Sequence, residues 1–409
     1  MGRPLTRAQD ATSLHTALSA AKVSIMSVLR RGSASPRGST TVVHTETSPY
    51  GSRRLVVESD GAVTAAYLKD HRDAVVGAAW VTNHGDAPSD LDRTRLDAGQ
   101  VPLLPASHVR FPEGRKELDE SALEVVWFEE GDGVAILESG DPICVIPGWS
   151  DMSRGIPGYS RDVTAQSPFA FPLEDELKDF LPRIEHSREH WEACRADGSW
   201  ADFQQSVLGH LLQRLGPGGH YWHDVGRQLP GGRGGGVPTV GVTERPARGD
   251  RSFTVLSTVG MSRQRMPTVE LYEDDVAPHS RIELAVATSL PSQRAGSIFP
   301  WLAQYPWRSV TWFAPGDVVK WYHESATFPL STGDSVWEGV LLLEDPSRLA
   351  GPVAPGLTGL HVGGDPVRWL WLVPITGEEH RYAKNEGSDA LVRRLAQQGR
   401  SWVVSATGD

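Results

Sequence analysis

A chain of 409 residues with 39% apolar and 22% charged positions is long enough for two domains that each bury a core, and no apolar run approaches the length a bilayer requires. The formal charge of −11 argues against sequence-independent nucleic-acid binding, which needs a basic face, and favours a basic protein as partner. Two cysteines, Cys144 and Cys194, are too few for a disulfide framework and lack metal-ligand spacing, which fits a reducing cytoplasm.

The N-terminus is basic, but serines, threonines, His15 and Lys22 interrupt what would have to be the apolar core of a secretion signal. A possible amphipathic helix, Ser13 to Leu29, leads into RRGSASPRGSTT, so residues 1–41 read as a flexible leader. From 42 to 172 short extended runs, RRLVVES, AVTAAYL, AVVGAAWV, LEVVWF, GVAILE and PICVIP, are separated by Gly, Asp, Asn and Pro and predict a β-rich domain. LEVVWFEEGDGVAILE predicts a hairpin in which Asp132-Gly133 supplies the positive-φ turn and Glu129, Glu130 and Asp132 form a solvated tip.

Residues 173–198 are helical in composition apart from Pro182 and form a connector. Beyond it, Ser199 fits an N-cap, Phe203, Val207, Leu208, Leu211, Leu212 and Leu215 form one apolar stripe, and Gly216 stops the helix. Strands FTVLST, RIELAVAT, GVLLLE and RWLWLVPI then alternate with a helix near Pro300 to Tyr305 and a last one from Ser388 to Gln398. The predicted class is α+β: an N-terminal β-rich domain, then an α/β-type domain around a mixed sheet over 199–409. Trp127, Trp369 and Trp371 lie inside strand-like runs and are expected in the core.

Few constellations suggest chemistry. His186-Ser-Arg-Glu-His190 spaces two imidazoles at i and i+4 on a helix, where both could reach one zinc with Glu189 as base; no third ligand is nominated, and Arg183 and Arg188 suit an exposed, mixed-charge helix. His220 and His223 would face opposite sides of a strand. LPGGRGGGVP has neither phosphate-loop nor dinucleotide spacing. Ser262 follows Gly260 after a strand, but Gln264 stands where a nucleophile elbow needs its second glycine. No catalytic residue and no cofactor are assigned.

In the second half an ordered series of modest motifs, HLLQRLG, VTERP, FTVLSTVGMS with RMP, RIELAVAT, WLAQYPW, TWFAPGDVV, GVLLLE and WLVPITGEEHRYAKNEGSDALVRRL, resembles the suppressor-of-fused domain of bacterial proteins over roughly residues 200 to 400. The resemblance implies a protein-binding domain without a catalytic centre, in which Ser262 shapes a loop. In eukaryotic relatives this domain and a C-terminal one clamp an extended peptide of a Gli-type transcription factor; that second domain has no visible counterpart here. For bacterial relatives it implies neutralising a partner, such as a toxin in an immunity role, or inhibiting a regulator. The expected partner edge is Gly260, Met261, Ser262 and Arg265 with neighbouring Glu378 and Glu379, although Glu379 could instead cap a helix through Thr376. Two other function classes stay open: a zinc-dependent hydrolase using His186, Glu189 and His190, and a self-associating scaffold.

Overall fold

The computed structural model describes residues 40–223, 238–322, 327–331 and 337–405. The expected helix Ser13 to Leu29, the leader up to residue 39 and nearly all of the glycine-rich stretch lie outside the described residues. The chain divides into two compact units: residues up to Arg195 together with Glu270–Asp274, and the remainder from Ala196 on.

In the first unit β1 (Thr41–Thr47), β2 (Arg54–Ser59), β3 (Val63–Lys69) and β4 (Val75–Asn83) form an antiparallel meander. A second sheet runs β5 (Leu123–Trp127), β6 (Val134–Glu138), β7 (Asp141–Ile146), β8 (Tyr159–Ser160) and β9 (Phe171–Pro172). Side chains alternate along a strand. Ala66 and Leu68 of β3 therefore share an apolar layer with Trp127, Ile136 and Ile146 of the second sheet, while Ala65 and Tyr67 face Trp80, Leu104 and Phe169. On the other side of β5, Val126 and the following Phe128 pack on Phe180 and Ile184 of α1 (Leu177–Arg195), which continues through Pro182.

The β5–β6 hairpin forms, but its tip differs from the expectation. The positive φ is at Gly131 (75°), whose N–H closes on the Phe128 carbonyl at 2.9 Å, and not at Gly133. Glu129, Glu130 and Asp132 are buried instead of solvated. Arg183, expected on an exposed helix face, points inward: it pairs with Glu270 at 2.6 Å and Glu130 at 3.2 Å and lies 4.3 Å from the Phe128 ring centre. Burial, with Glu130 and Asp132 adding to it, raises the Glu270 pKa against the pull of Arg183.

The second unit contains α2 (Ser199–Leu215) and a mixed eight-stranded sheet. Its strands are β10 (Tyr221–His223), β11 (Gly241–Arg245), β12 (Thr254–Val259), β13 (Arg281–Thr288), β14 (Val318–Lys320), β15 (Trp337–Leu343), β16 (His361–Val362) and β17 (Asp365–Thr376). The order is β10-β11-β12-β13-β17-β15-β14, with β16 beside β17; β13 and β17 are parallel, the other pairs antiparallel. The α+β class and the mixed sheet of the expectation are what the chain adopts.

Every second residue of β17, Val367, Trp369, Trp371, Val373 and Ile375, enters one core with Val207 and Leu211 of α2 and with Leu391 and Leu395 of α4 (Ser388–Gln397), which follows α3 (Gly377–Glu386). All of β13 is buried, as befits a central strand covered on both faces. Trp127, Trp369 and Trp371 are buried as expected. The cap of α2 is not: Gly198 (φ 79°) occupies the N-cap, Ser199 is the first helical residue, and Leu212 of the stripe is exposed.

Candidate protein-binding site

The loop after β12 answers what Ser262 does. Glu283, fully buried on the neighbouring β13, accepts hydrogen bonds from the Ser262 hydroxyl (2.7 Å) and amide (3.0 Å), the Gly260 amide (2.9 Å) and the Thr258 hydroxyl (2.6 Å). Burial pushes the Glu283 carboxyl above the usual range, and these four donors pull it back. Gly260 is obligatory at φ 136°, since a Cβ there would stand 2.2 Å from the Thr239 carbonyl oxygen. The Ser262 hydroxyl is therefore an anchor, held by an acid and sealed from solvent.

A second buried network secures the same loop from below. Arg281, fully buried, donates to the Ser262 and Arg263 carbonyls and to Asp365 (2.9 Å); Arg265 donates twice to Asp365 (2.8 and 3.0 Å); the Trp307 indole donates to the Arg265 carbonyl.

Of the expected partner edge, Gly260, Met261 and Ser262 are buried and Arg265 is turned onto Asp365, so their side chains are framework. Glu379 is buried as well. It closes a capping box with Thr376 and pairs with Arg400 at 2.7 Å. Glu378 alone of the six is well exposed, paired with Arg394. Nor are the two groups neighbours: Asp365, which holds Arg265, and Thr376, which caps the helix of Glu378, are the two ends of β17, about 35 Å apart at the rise of an extended strand.

On α1, His186 Nε2 lies 2.8 Å and His190 Nδ1 3.6 Å from the carboxylate of Glu129. Glu189, the would-be base, is exposed, and the carboxylate that both imidazoles approach is that of Glu129. Among the described residues no group of three or more His, Cys, Asp or Glu is arranged to hold a metal ion. Protein purified without a histidine tag is expected to carry no stoichiometric zinc by elemental analysis; zinc that disappears in His190→Ala would reinstate the hydrolase.

The sequence reading missed a groove of about 200 Å³ in the second unit, lined by Tyr305, Phe313, Tyr322, Lys320, His380 and Lys384 among others. One wall is β14, the last strand of its sheet. Odd positions of β14 and its flanks bond β15: the Asp317 carbonyl accepts from Leu342, Val319 pairs with Val340, and the Trp321 amide donates to Glu338. The backbone groups of Val318 and Lys320 therefore point outward, and no described strand takes them up.

The lining is also aromatic: Tyr305 and Phe313 stack at 5.7 Å, and Tyr322, two residues beyond β14, is 68% exposed. The chain reaches Thr311 through Val310 at φ 50°, a conformation costly for a β-branched residue and of the kind found at functional sites. His380 and Lys384, one turn apart on α3, complete the lining. Seven aromatics between Trp301 and Tyr322 were the available signal in the sequence.

Residues 237–407 match the family model described as suppressor of fused protein (SUFU). Among solved structures the chain is similar to a SUFU homologue from Neisseria gonorrhoeae FA 1090 (15% identity, TM-score 0.35, 50% of this chain and 93% of that one). It is also similar to a chain of the Sufu-Fu complex (12%, 0.34, 51% and 91%) and to Drosophila Suppressor of Fused (14%, 0.32, 50% and 49%). No curated protein matches the chain.

Proposed function

We propose, on the premise that residues 237–407 match the suppressor-of-fused family model, that this protein is a non-catalytic module that binds and sequesters another protein. The observation that carries the reading is the groove at the outer edge of β14. Outward amides and carbonyls, an aromatic lining and an exposed tyrosine are what an extended peptide needs in order to add to a sheet and anchor its side chains. The buried polar networks around Glu283 and Asp365 are spent on loop geometry, which favours a binding role over catalysis.

The partner is a toxin neutralised in an immunity role or a regulator held inactive, in the cytoplasm. The excess of carboxylates accelerates encounter with a basic protein at long range. Glu378, exposed at the start of α3, is turned to Arg394 of α4, and the loop Gly260 to Arg265 is framework of the same unit.

The test is capture from the native host by the wild-type chain, followed by rebinding of the purified captured protein to wild type and to Val318→Pro. The substitution removes an outward N–H and leaves the β15 ladder intact, so the fold should persist. Rebinding to Val318→Pro is expected to weaken at least about tenfold, the loss of one or two backbone hydrogen bonds. Equal rebinding would remove the groove from the account, and turnover of a small molecule with no captured protein would end the binding-module reading.

A further inference from the structure

The charge around the groove is opposite in sign to that of the whole chain. Lys384 has no ion-pair partner among the described residues, and Lys320 reaches Glu338 only at 3.7 Å with both side chains substantially exposed. Arg381, exposed on the same helix, adds to the positive field. That field is registered by His380: burial first, then Lys384 and Lys320, hold its imidazole below the ordinary value, with Glu338 opposing. Asp317, the acid in the lining, is turned to its own loop, where it accepts from the Ala314 amide at 2.7 Å, and burial pushes its carboxyl upward. What an entering chain meets is a strand edge, aromatic rings and cations.

Resting on the reading of this chain as a protein-binding module, we propose that the groove selects an extended segment bearing acidic side chains. A carboxylate is received by Lys384 and Lys320, and alternate apolar side chains lie against Tyr305 and Tyr322. Alternation follows from the strand: a segment paired along Val318 to Lys320 sends every second side chain to the same face. Lysine at an exposed mouth is a point charge that tolerates several carboxylate positions, so the selection is for acidity and extended form. Long-range attraction of a basic partner and local choice of its acidic segment act at different distances, because charges beyond about 8 Å are largely screened at physiological salt.

The test uses a random peptide library displayed on phage, panned on the full chain, on the exposed-surface variant Lys320→Glu with Lys384→Glu, and on Val318→Pro. The wild type is expected to enrich peptides with Asp or Glu at alternating positions. The double variant should lose that enrichment or turn it to Lys and Arg, and a purified enriched peptide should bind it at least about tenfold more weakly. Val318→Pro should enrich nothing.

Enriched peptides without acidic residues, or an acidic preference unchanged by the double reversal, overturn the proposal. No enrichment alongside a host partner whose rebinding depends on Val318 overturns the acidic selection and leaves the protein-binding reading standing. No enrichment and no such dependence ends both. A dimer by light scattering that Val318→Pro dissolves would assign the edge to a second copy of this chain and likewise overturn the proposal.

Discussion

Glu283→Ala is expected to destabilise the protein by about 3–5 kcal/mol in chemical denaturation. The carboxylate is the shared acceptor for two hydroxyls and two amides in a fully buried place, and truncation leaves these donors facing a void. Each buried donor left unmade costs about 1–3 kcal/mol, and water or local collapse recovers part of the sum. Ser262→Ala removes a single hydroxyl from the same network and should cost only about 1 kcal/mol, with partner binding intact. An unfolding midpoint for Glu283→Ala that matches the wild type would contradict the assignment of this loop as framework.

Asp365→Ala should be comparably damaging, about 3–5 kcal/mol, for an electrostatic reason. Asp365 is the carboxylate shared by Arg265 and the fully buried Arg281, and breaking a buried pair from one side leaves a desolvated charge without its counter-charge. The diagnostic comparison is Asp365→Ala combined with Arg281→Met. Removing both charges should restore part of the loss, because an apolar replacement of a buried pair is often close to neutral. A double variant as unstable as the sum of its parts would mean that Arg281 matters for its hydrogen bonds to the Ser262 and Arg263 carbonyls more than for its charge.

The strands were legible because the short, mostly apolar runs of β12, β13, β15 and β17, rich in Val, Leu, Ile and Trp, leave little choice of element, and the capping box of Thr376 and Glu379 was readable because its chemistry is local. What was not legible depended on neighbours distant in sequence. The acidic hairpin tip looked solvated because Arg183 and Glu270, which bury it, come from 53 and 140 residues beyond Glu130. Ser199 looked like a cap because nothing local shows that Gly198 takes the left-handed conformation first and that the Ser199 hydroxyl accepts from Arg263.

The burial of the expected partner edge was hidden for a related reason. A Gly-Met-Ser turn reads equally well as a binding loop or a buried one until Glu283 is placed beneath it. The groove was invisible because β14 is three residues long and its lining comes from a short helix, an irregular stretch and α3. Only the density of aromatics hinted at it.

Hydrogen exchange of the full chain, with and without the protein it captures from its host, tests the central claim most directly. Val318 and Lys320 direct their amides away from β15 and pair with no described strand, so they should exchange fast alone and slow markedly when a partner segment pairs with them. Protection centred on Val318 to Tyr322 and on α3 around Lys384 is the predicted result. A complex that leaves those amides unprotected, and slows exchange elsewhere on the chain, would contradict the account.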